Sequence, residues 1–336
     1  MTKIYFIFFF IFTNFSLYAS LDLENNTQDF VLETKKIEIA DFEYPFNPSI
    51  VKWKDKILMS FRFREPPKNI PNQIGLIYLN DEFNPITKPF KLDQRITEFQ
   101  SDNWAQDPRL IVIKNRLYIV FNNIGMTANP SIRRTCIAEI FEDDCGFYIN
   151  DPEFLLYFDG ENPNVHEKNW TPFEYEEKMH LIYCLSPLRI FKPHFGTQSC
   201  ETLVNSSQDI QWDWGELRGG TSAALENGEY LTFFHTCKKM ASVQSEGKLR
   251  DHYFMGACTF KSTPPFSITK ISPAPIVGKQ FYNGPLYKTW KPLHVVFPGG
   301  FISKKEHIWI VYGRQDHECW AVKLNKQGLL DSLQPI

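Results

Sequence analysis

Long basic runs, Cys-x-x-Cys pairs, a sustained helical period and, past residue 20, long apolar stretches are all missing from this chain of 336 residues. Each gap excludes something. A net charge of −3 without a basic run argues against nucleic acid and anionic membrane as partners. No cysteine or histidine spacing suits a metal, and no phosphate-cradling glycine loop precedes a helix, so no metal and no other cofactor is expected. No later stretch approaches the roughly 18 apolar residues of a membrane helix, so the chain is expected off the membrane once its leader is cut. What remains is the balance of a folded domain, 43% hydrophobic and 22% charged. Aromatics reach 15%, with 30 Phe, most of them in strand-like runs.

Residues 1–19 read as a secretory signal peptide. Lys3 opens it, Ile4 to Phe12 is apolar throughout, and small Ala19 marks a cleavage position before Ser20. An exported protein is expected, whether periplasmic, secreted or in a secretory lumen. That setting permits disulfides, and the seven cysteines offer Cys136–Cys145 as a hairpin bridge and Cys184–Cys200 as a loop staple. Buried free thiols are the competing expectation for the cysteines inside strand-like runs.

One pattern recurs five times: a short apolar strand, a charged turn, then a β-branched or aromatic strand. The turns are Lys54-Asp55-Lys56, Lys114-Asn115-Arg116, Glu176-Glu177-Lys178, Glu226-Asn227-Gly228-Glu229 and Lys304-Lys305-Glu306. Repeats of about 50 to 80 residues leave room for four strands each. Regular hairpins without helices predict an all-β chain, and a repeating four-strand unit predicts a five-bladed β-propeller. Blades cannot bury their faces alone, so residues 35–336 are expected to form one domain behind a short N-terminal segment, 20–34.

In a propeller the innermost strand of every blade starts at the same end of the channel. The five strand starts are polar or glycine-rich: Asn47, Asp107, Lys168-Asn169, Arg218-Gly219-Gly220 and Pro298-Gly299-Gly300. Five pieces of chain thus bring polar groups to one funnel, as a ligand site requires.

The strings Asn47-Pro48-Ser49 with Arg62, Gln106-Asp107-Pro108-Arg109, Glu167-Lys168-Asn169-Trp170, Gly220-Thr221 with His235, Val296-Phe297-Pro298-Gly299-Gly300, and Tyr312-Gly313 with Asp316 follow in order along the mature chain. At these motifs the sequence resembles glycoside hydrolase family 130, the mannoside phosphorylases and β-1,2-mannosidases. The resemblance implies a five-bladed propeller, with Asp107 as catalytic acid. It also implies Asn47, Ser49, Arg62, Asn169 and Asp316 around the sugar, with Arg109 on the same strand face as Asp107 to orient or pair with it. Phosphorolytic members cradle phosphate with several cations. Lys168 and His235 match that cluster, and Arg218 lies near it. Ser186 and Glu216 stand where further cations are expected.

Glu216 therefore favours water as nucleophile: Asp107 as acid and Glu216 as base make an inverting glycosidase. The leading expectation is hydrolysis of β-mannosides or related glycosides. Phosphorolysis, or mannosyl transfer from a sugar phosphate held by Lys168, Arg218 and His235, is the alternative, with inorganic phosphate then a partner beside the oligosaccharide. A glycan-binding propeller without turnover is the third reading. Trp104, Trp170, Trp212 and Trp214 are candidate stacking surfaces, each with a packing role in competition.

Overall fold

Each of the five turns found in the sequence is a hairpin tip. The inner strands are Phe46–Trp53, Gln106–Ile113, Thr171–Tyr175, Ala224–Glu226 and Val296–Ser303. Each pairs with the strand that follows it: Lys56–Phe63, Arg116–Ile124, Lys178–Leu185, Glu229–Met240 and His307–Arg314. In four tips both central residues have positive φ: Lys54-Asp55, Lys114-Asn115, Glu176-Glu177 and Asn227-Gly228. That is the two-residue turn whose twist matches the strands it joins. The fifth tip is longer and closes on a Lys304 N–H bond to the His307 carbonyl at 2.8 Å.

These observations come from a computed structural model that describes residues 21–25, 27–64, 72–94, 105–124, 131–287 and 292–336. The expected leader and Trp104 lie outside the described residues. The strands form five sheets, each built outward from one inner strand, so the chain is a five-bladed β-propeller. The one helix among the described residues, Lys326–Ser332, is short and capped by the Asn325 side chain, which accepts from the Gly328 N–H at 2.7 Å. No described helix is long and apolar enough to cross a membrane.

Phenylalanines from neighbouring blades fill the space between sheets. Phe173 of the third blade packs edge-on against Tyr230 and Phe260 of the fourth. Phe233 of the fourth meets Phe301 of the fifth in the same way, at 5.1 Å. Near the axis the backbones almost touch. A Cβ on Gly299 would stand 2.1 Å from the Pro48 carbonyl oxygen, and one on Gly300 2.4 Å from the Ile50 nitrogen. Only glycine lets the fifth blade approach the first so closely.

The domain begins earlier than residue 35. Val31–Lys36 is the outermost strand of the fifth blade, antiparallel to Glu318–Asn325. Ahead of it Leu23 is buried in the core, and the Glu24 carboxylate accepts the backbone N–H groups of Gln280, Tyr282 and Asn283 at 2.7–2.9 Å. The segment expected to be separate is part of the propeller. At the other end Gln334–Pro335 adds a strand to the fourth blade.

All seven cysteines are free thiols, and neither expected disulfide is formed. Cys136 lies in the core of the second blade, seven residues before Asp143, while Cys145 sits in the tip beyond it. The ordinary strand rise separates them by about 23 Å. Cys184 and Cys200 belong to the second and fourth strands of the third blade, with Leu188–His194 running between. Two strand spacings are roughly 9–10 Å, beyond the reach of a disulfide.

The Glu24 contact tests how firmly the N-terminal segment is joined. Glu24→Ala leaves three N–H groups without their carboxylate and is expected to cost about 1–3 kcal/mol. The urea midpoint should fall at unchanged slope; an unchanged midpoint would show that the segment adds nothing to the fold.

Candidate functional site

Asn47 and Asp107 occupy equivalent positions at the start of the first two inner strands, and the ladder slips at both. Pairing jumps from Phe46 to Ser49 and from Gln106 to Arg109. The residues that bulge out are Asn47-Pro48 and Asp107-Pro108. A bulge bends the strand and re-aims a side chain. Asn47 and Asp107 have φ of +48° and +54°, and Asn169 at the third strand start has +67°. Non-glycine residues in this region cost of order 1–3 kcal/mol, a strain that persists where surroundings enforce it.

The aim of these bulges is a cavity of about 460 Å³ that Asn47, Arg62, Asp107, Lys168, Asn169, Arg218, His235 and Asp316 all line. Strand starts from four blades meet there, and Phe297 of the fifth completes the wall. A larger groove of about 850 Å³ lies by the hairpin tips of the first two blades, away from these strand starts.

Within the funnel one carboxylate oxygen is gripped twice. Asp107 Oδ1 accepts from Asn47 Nδ2 at 2.8 Å and from Arg62 Nη1 at 3.1 Å. Arg62 is itself held: its Nε donates to Asn72 Oδ1 at 3.0 Å, and Arg64 Nε donates to the same oxygen at 2.9 Å. Phe46 lies beneath both guanidinium groups, 4.6 and 5.4 Å from its ring centre. Gly313 backs Asn47 so tightly that a Cβ there would stand 2.1 Å from Asn47 Oδ1.

The two funnel carboxyl groups are pushed apart electrostatically. Burial alone would raise Asp107, but Arg62, the Asn47 hydrogen bond and the charges of Arg109 and Lys168 outweigh it, so Asp107 titrates below its ordinary range. Burial raises Asp316, against the pull of Arg62 and with the help of the Asp107 charge. Asp107 is thus the ionised partner at neutral pH, and Asp316 the one that more readily holds a proton.

The cationic side joins two basic side chains to one neutral ring. Lys168 and Arg218 stand in the wall from the third and fourth blades. His235 is buried, and burial with the nearby Arg109 and Arg218 charges brings its pKa down to about 3. Its Nδ1 donates to the Gly219 carbonyl at 2.9 Å, which leaves Nε2 as an acceptor. His235 joins the cradle as a neutral ring, so an anion there shares a proton with Nε2 only by bringing one.

Three expected site residues stand elsewhere. Glu216 does not line the funnel: its side chain is 73% exposed and ion-paired with Arg218 at 3.2 Å. The glycine before it explains the turn away, since Gly215 has φ +115° and a Cβ on it would meet the Cys237 carbonyl at 2.8 Å. Ser49 is fully buried and joins blades, its Oγ accepting the Leu110 N–H at 3.0 Å. Arg109 is buried beneath the funnel floor. Its Nη1 donates to the Asp107 carbonyl at 2.9 Å and its Nε to the Gly220 carbonyl at 2.7 Å. Nη2 reaches the Gly219 carbonyl at 3.4 Å and Asn169 Oδ1 at 3.5 Å. It supports the site and does not face a ligand. Trp170 and Trp212 are core residues, and Trp214 packs edge-on against Phe254.

Asn72 and Tyr253 line the funnel without having stood out in the sequence. Asn72 belongs to no motif in the sequence. Tyr253 carried no sequence signal either, because its place depends on strand pairing: it lies directly opposite Cys237, two residues past His235, and its ring stacks 6.0 Å from that histidine at 9°.

No family model matches the chain. Among curated proteins, β-mannosyltransferase 2 of Komagataella phaffii is 29% identical over 126 residues, 35% of this chain and 18% of that protein. Many solved structures match over most of both chains, among them these three. One is described among GH130 mannoside phosphorylases, a family said to contain glycoside hydrolases that target β-1,2-mannosidic linkages in Candida mannan. It has a TM-score of 0.60 at 13% identity, covering 92% and 94%. The others are from Leishmania mexicana. MPT-4, a mannose phosphorylase in complex with a phosphate ion, scores 0.60 at 14% identity, covering 93% of both chains. MPT-1, a GDP-Man-dependent mannosyltransferase, scores 0.59 at 11% identity, covering 89% and 90%. The resemblance found in the sequence therefore holds in the fold: this chain shares the architecture of the GH130 mannoside phosphorylases.

Proposed function

We propose that the chain is a mannosyl-transferring enzyme that exchanges a mannosyl group, with inversion, between a phosphate-bearing donor and a sugar hydroxyl. One observation carries this reading. Asp107, Lys168 and Arg218 open on the same cavity, while Glu216, the base that hydrolysis was expected to use, stands outside it. The electrostatic reason for preferring water as nucleophile is thereby removed. Mannosyl transfer and phosphorolysis, the activities named for β-mannosyltransferase 2, MPT-1 and MPT-4, support the same chemistry, while the GH130 structure matched beside them is described with glycoside hydrolases.

In the transfer direction the acceptor O–H bond breaks and its proton passes to the Asp107 carboxylate, directly or through a sugar hydroxyl. The acceptor oxygen forms a bond to the anomeric carbon as the bond from that carbon to the phosphate oxygen breaks. Lys168 and Arg218 neutralise the departing phosphate. Asp107 is set up for this by its low pKa, since it rests as a base. Phosphorolysis is the same path reversed, with Asp107 giving the proton back. Arg62 and Asn47 hold the carboxylate in place, and Asp316 offers a second polar contact to the sugar. The apolar leader before Ser20 supports an exported compartment as the place of work.

Wild-type protein given α-mannose 1-phosphate and β-1,2- or β-1,4-mannobiose should release inorganic phosphate and lengthen the sugar. Asp107→Asn should lower the rate at least about 100-fold. Arg218→Ala should raise the donor KM about tenfold, and Glu216→Gln should change the rate less than about twofold. A large loss on Glu216→Gln, or mannose release without phosphate chemistry, would restore the hydrolytic reading.

The pH profile gives a separate check. The active form of Asp107 in transfer is the carboxylate, and its pKa is lowered, so activity should persist as pH falls through the ordinary carboxylate range and drop only below it. Arg62→Met removes the nearest cation and should move that acid limb to higher pH. A limb that stays put would detach it from Asp107.

A further inference from the structure

Three rings stand together beside Asp316, and the transfer chemistry does not use them. Tyr287 and His317 stack face to face, with ring centres 4.4 Å apart at 6°. Tyr44 meets both edge-on, 5.1 Å from His317 and 6.5 Å from Tyr287. The stacked pair is fixed from below. Tyr287 Oη donates to Glu318 Oε1 at 2.6 Å, and the second oxygen of that buried carboxylate accepts from Arg314 and Trp320. Tyr44 as a whole residue is 53% exposed, and its backbone has φ +50°. A large ring left in water, on strained backbone and braced by two ordered rings, is not explained by core packing.

None of the three rings lines the funnel itself, but their blades say on which side of it they stand. Tyr44 lies three residues before Asn47, at the start of the first blade, and His317 follows Asp316 in the fifth. Lys168 and Arg218 come from the third and fourth blades, across the ring. Inversion requires the acceptor and the departing phosphate on opposite faces of the mannosyl ring. The ring cluster is therefore on the acceptor side, and the non-sugar part of a phosphate donor belongs with the cations. Tyr287 also lines a second cavity of about 280 Å³, which shares Leu293 with the funnel wall.

We infer that Tyr44, braced by Tyr287 and His317, is the stacking surface for the acceptor: a hexopyranose ring laid with its C–H face on Tyr44 and a hydroxyl turned toward Asp107. The inference rests on the proposed transfer for which side is which. An aromatic ring serves because a sugar face is apolar while its hydroxyls stay free for the polar wall.

Binding tests it without turnover. In an Asp107→Asn background, calorimetric titration with β-1,2- and β-1,4-mannobiose should show binding of at least one disaccharide. Adding Tyr44→Ala should weaken it about five- to tenfold, Tyr44→Phe should preserve it, and affinity for mannose 1-phosphate should not change. A matching melting temperature shows that Tyr44→Ala is folded. Equal disaccharide affinity in Tyr44→Ala, an equal loss for mannose 1-phosphate, or no binding of either disaccharide overturns the inference. Phosphate release by the wild type judges the transfer reading separately: if none is released yet Tyr44→Ala still weakens disaccharide binding, the stacking surface stands and the transfer reading falls.

Discussion

A single buried guanidinium holds the funnel floor together. Arg109 sends its donors to the carbonyls of Asp107, Gly219 and Gly220 and to the Asn169 side chain, so it fixes the strand starts of the second, third and fourth blades at once. It also lies 5.6 Å from the Phe297 ring of the fifth. Burial lowers its pKa only to about 10, so it remains a cation. Its acceptors are carbonyl and amide oxygens, which leaves the Asp107 carboxylate to Arg62 and Asn47. A lysine could not span these acceptors, since the fork geometry delivers several donors in fixed directions. The glycines are part of the same fit: a Cβ on Gly219 would stand 2.0 Å from the Asn169 carbonyl oxygen, and one on Gly220 2.3 Å from that of Phe233.

The blades were legible because each hairpin repeats locally what the ring demands globally. Strand, charged tip and strand recur in sequence, and that spacing became five sheets. Asn47, Asp107, Lys168, Asn169 and Arg218 reached the funnel for the same reason, being strand starts on a common end. What sequence spacing could not carry was direction. Ser49 and Arg109 lie two residues past funnel residues and on strand alternation should share their face, but the bulges break that alternation. Glu216 shows the same limit in a loop. The resemblance put it at a cation position of the cradle, where a carboxylate suited a base, yet the turn at Gly215 leaves it in solvent, paired with Arg218.

The electrostatics of the funnel depend on three-dimensional burial and were equally hidden. Asp107 read as the acid and Asp316 as a residue around the sugar, but the sequence could not say which of them holds a proton. Folding gives one a gripping pair of donors and leaves the other among weaker partners. His235 likewise read as part of a cationic cradle, but burial beside Arg109 and Arg218 keeps it neutral.

The outer strand of the fifth blade sets an order on events before any site exists. Val31–Lys36 leaves the ribosome nearly 300 residues ahead of Glu318–Asn325, the strand it must pair with. Through synthesis of four blades it is an unpaired edge, and three of its six residues, Glu33, Lys35 and Lys36, are charged, which discourages pairing with a foreign strand. Ring closure is therefore a contact of very large sequence separation, the slow kind of step in which loop entropy is spent before pairing returns it. The funnel draws on all five blades, so a nascent chain gains its chemistry only when Val31–Lys36 has met Glu318–Asn325.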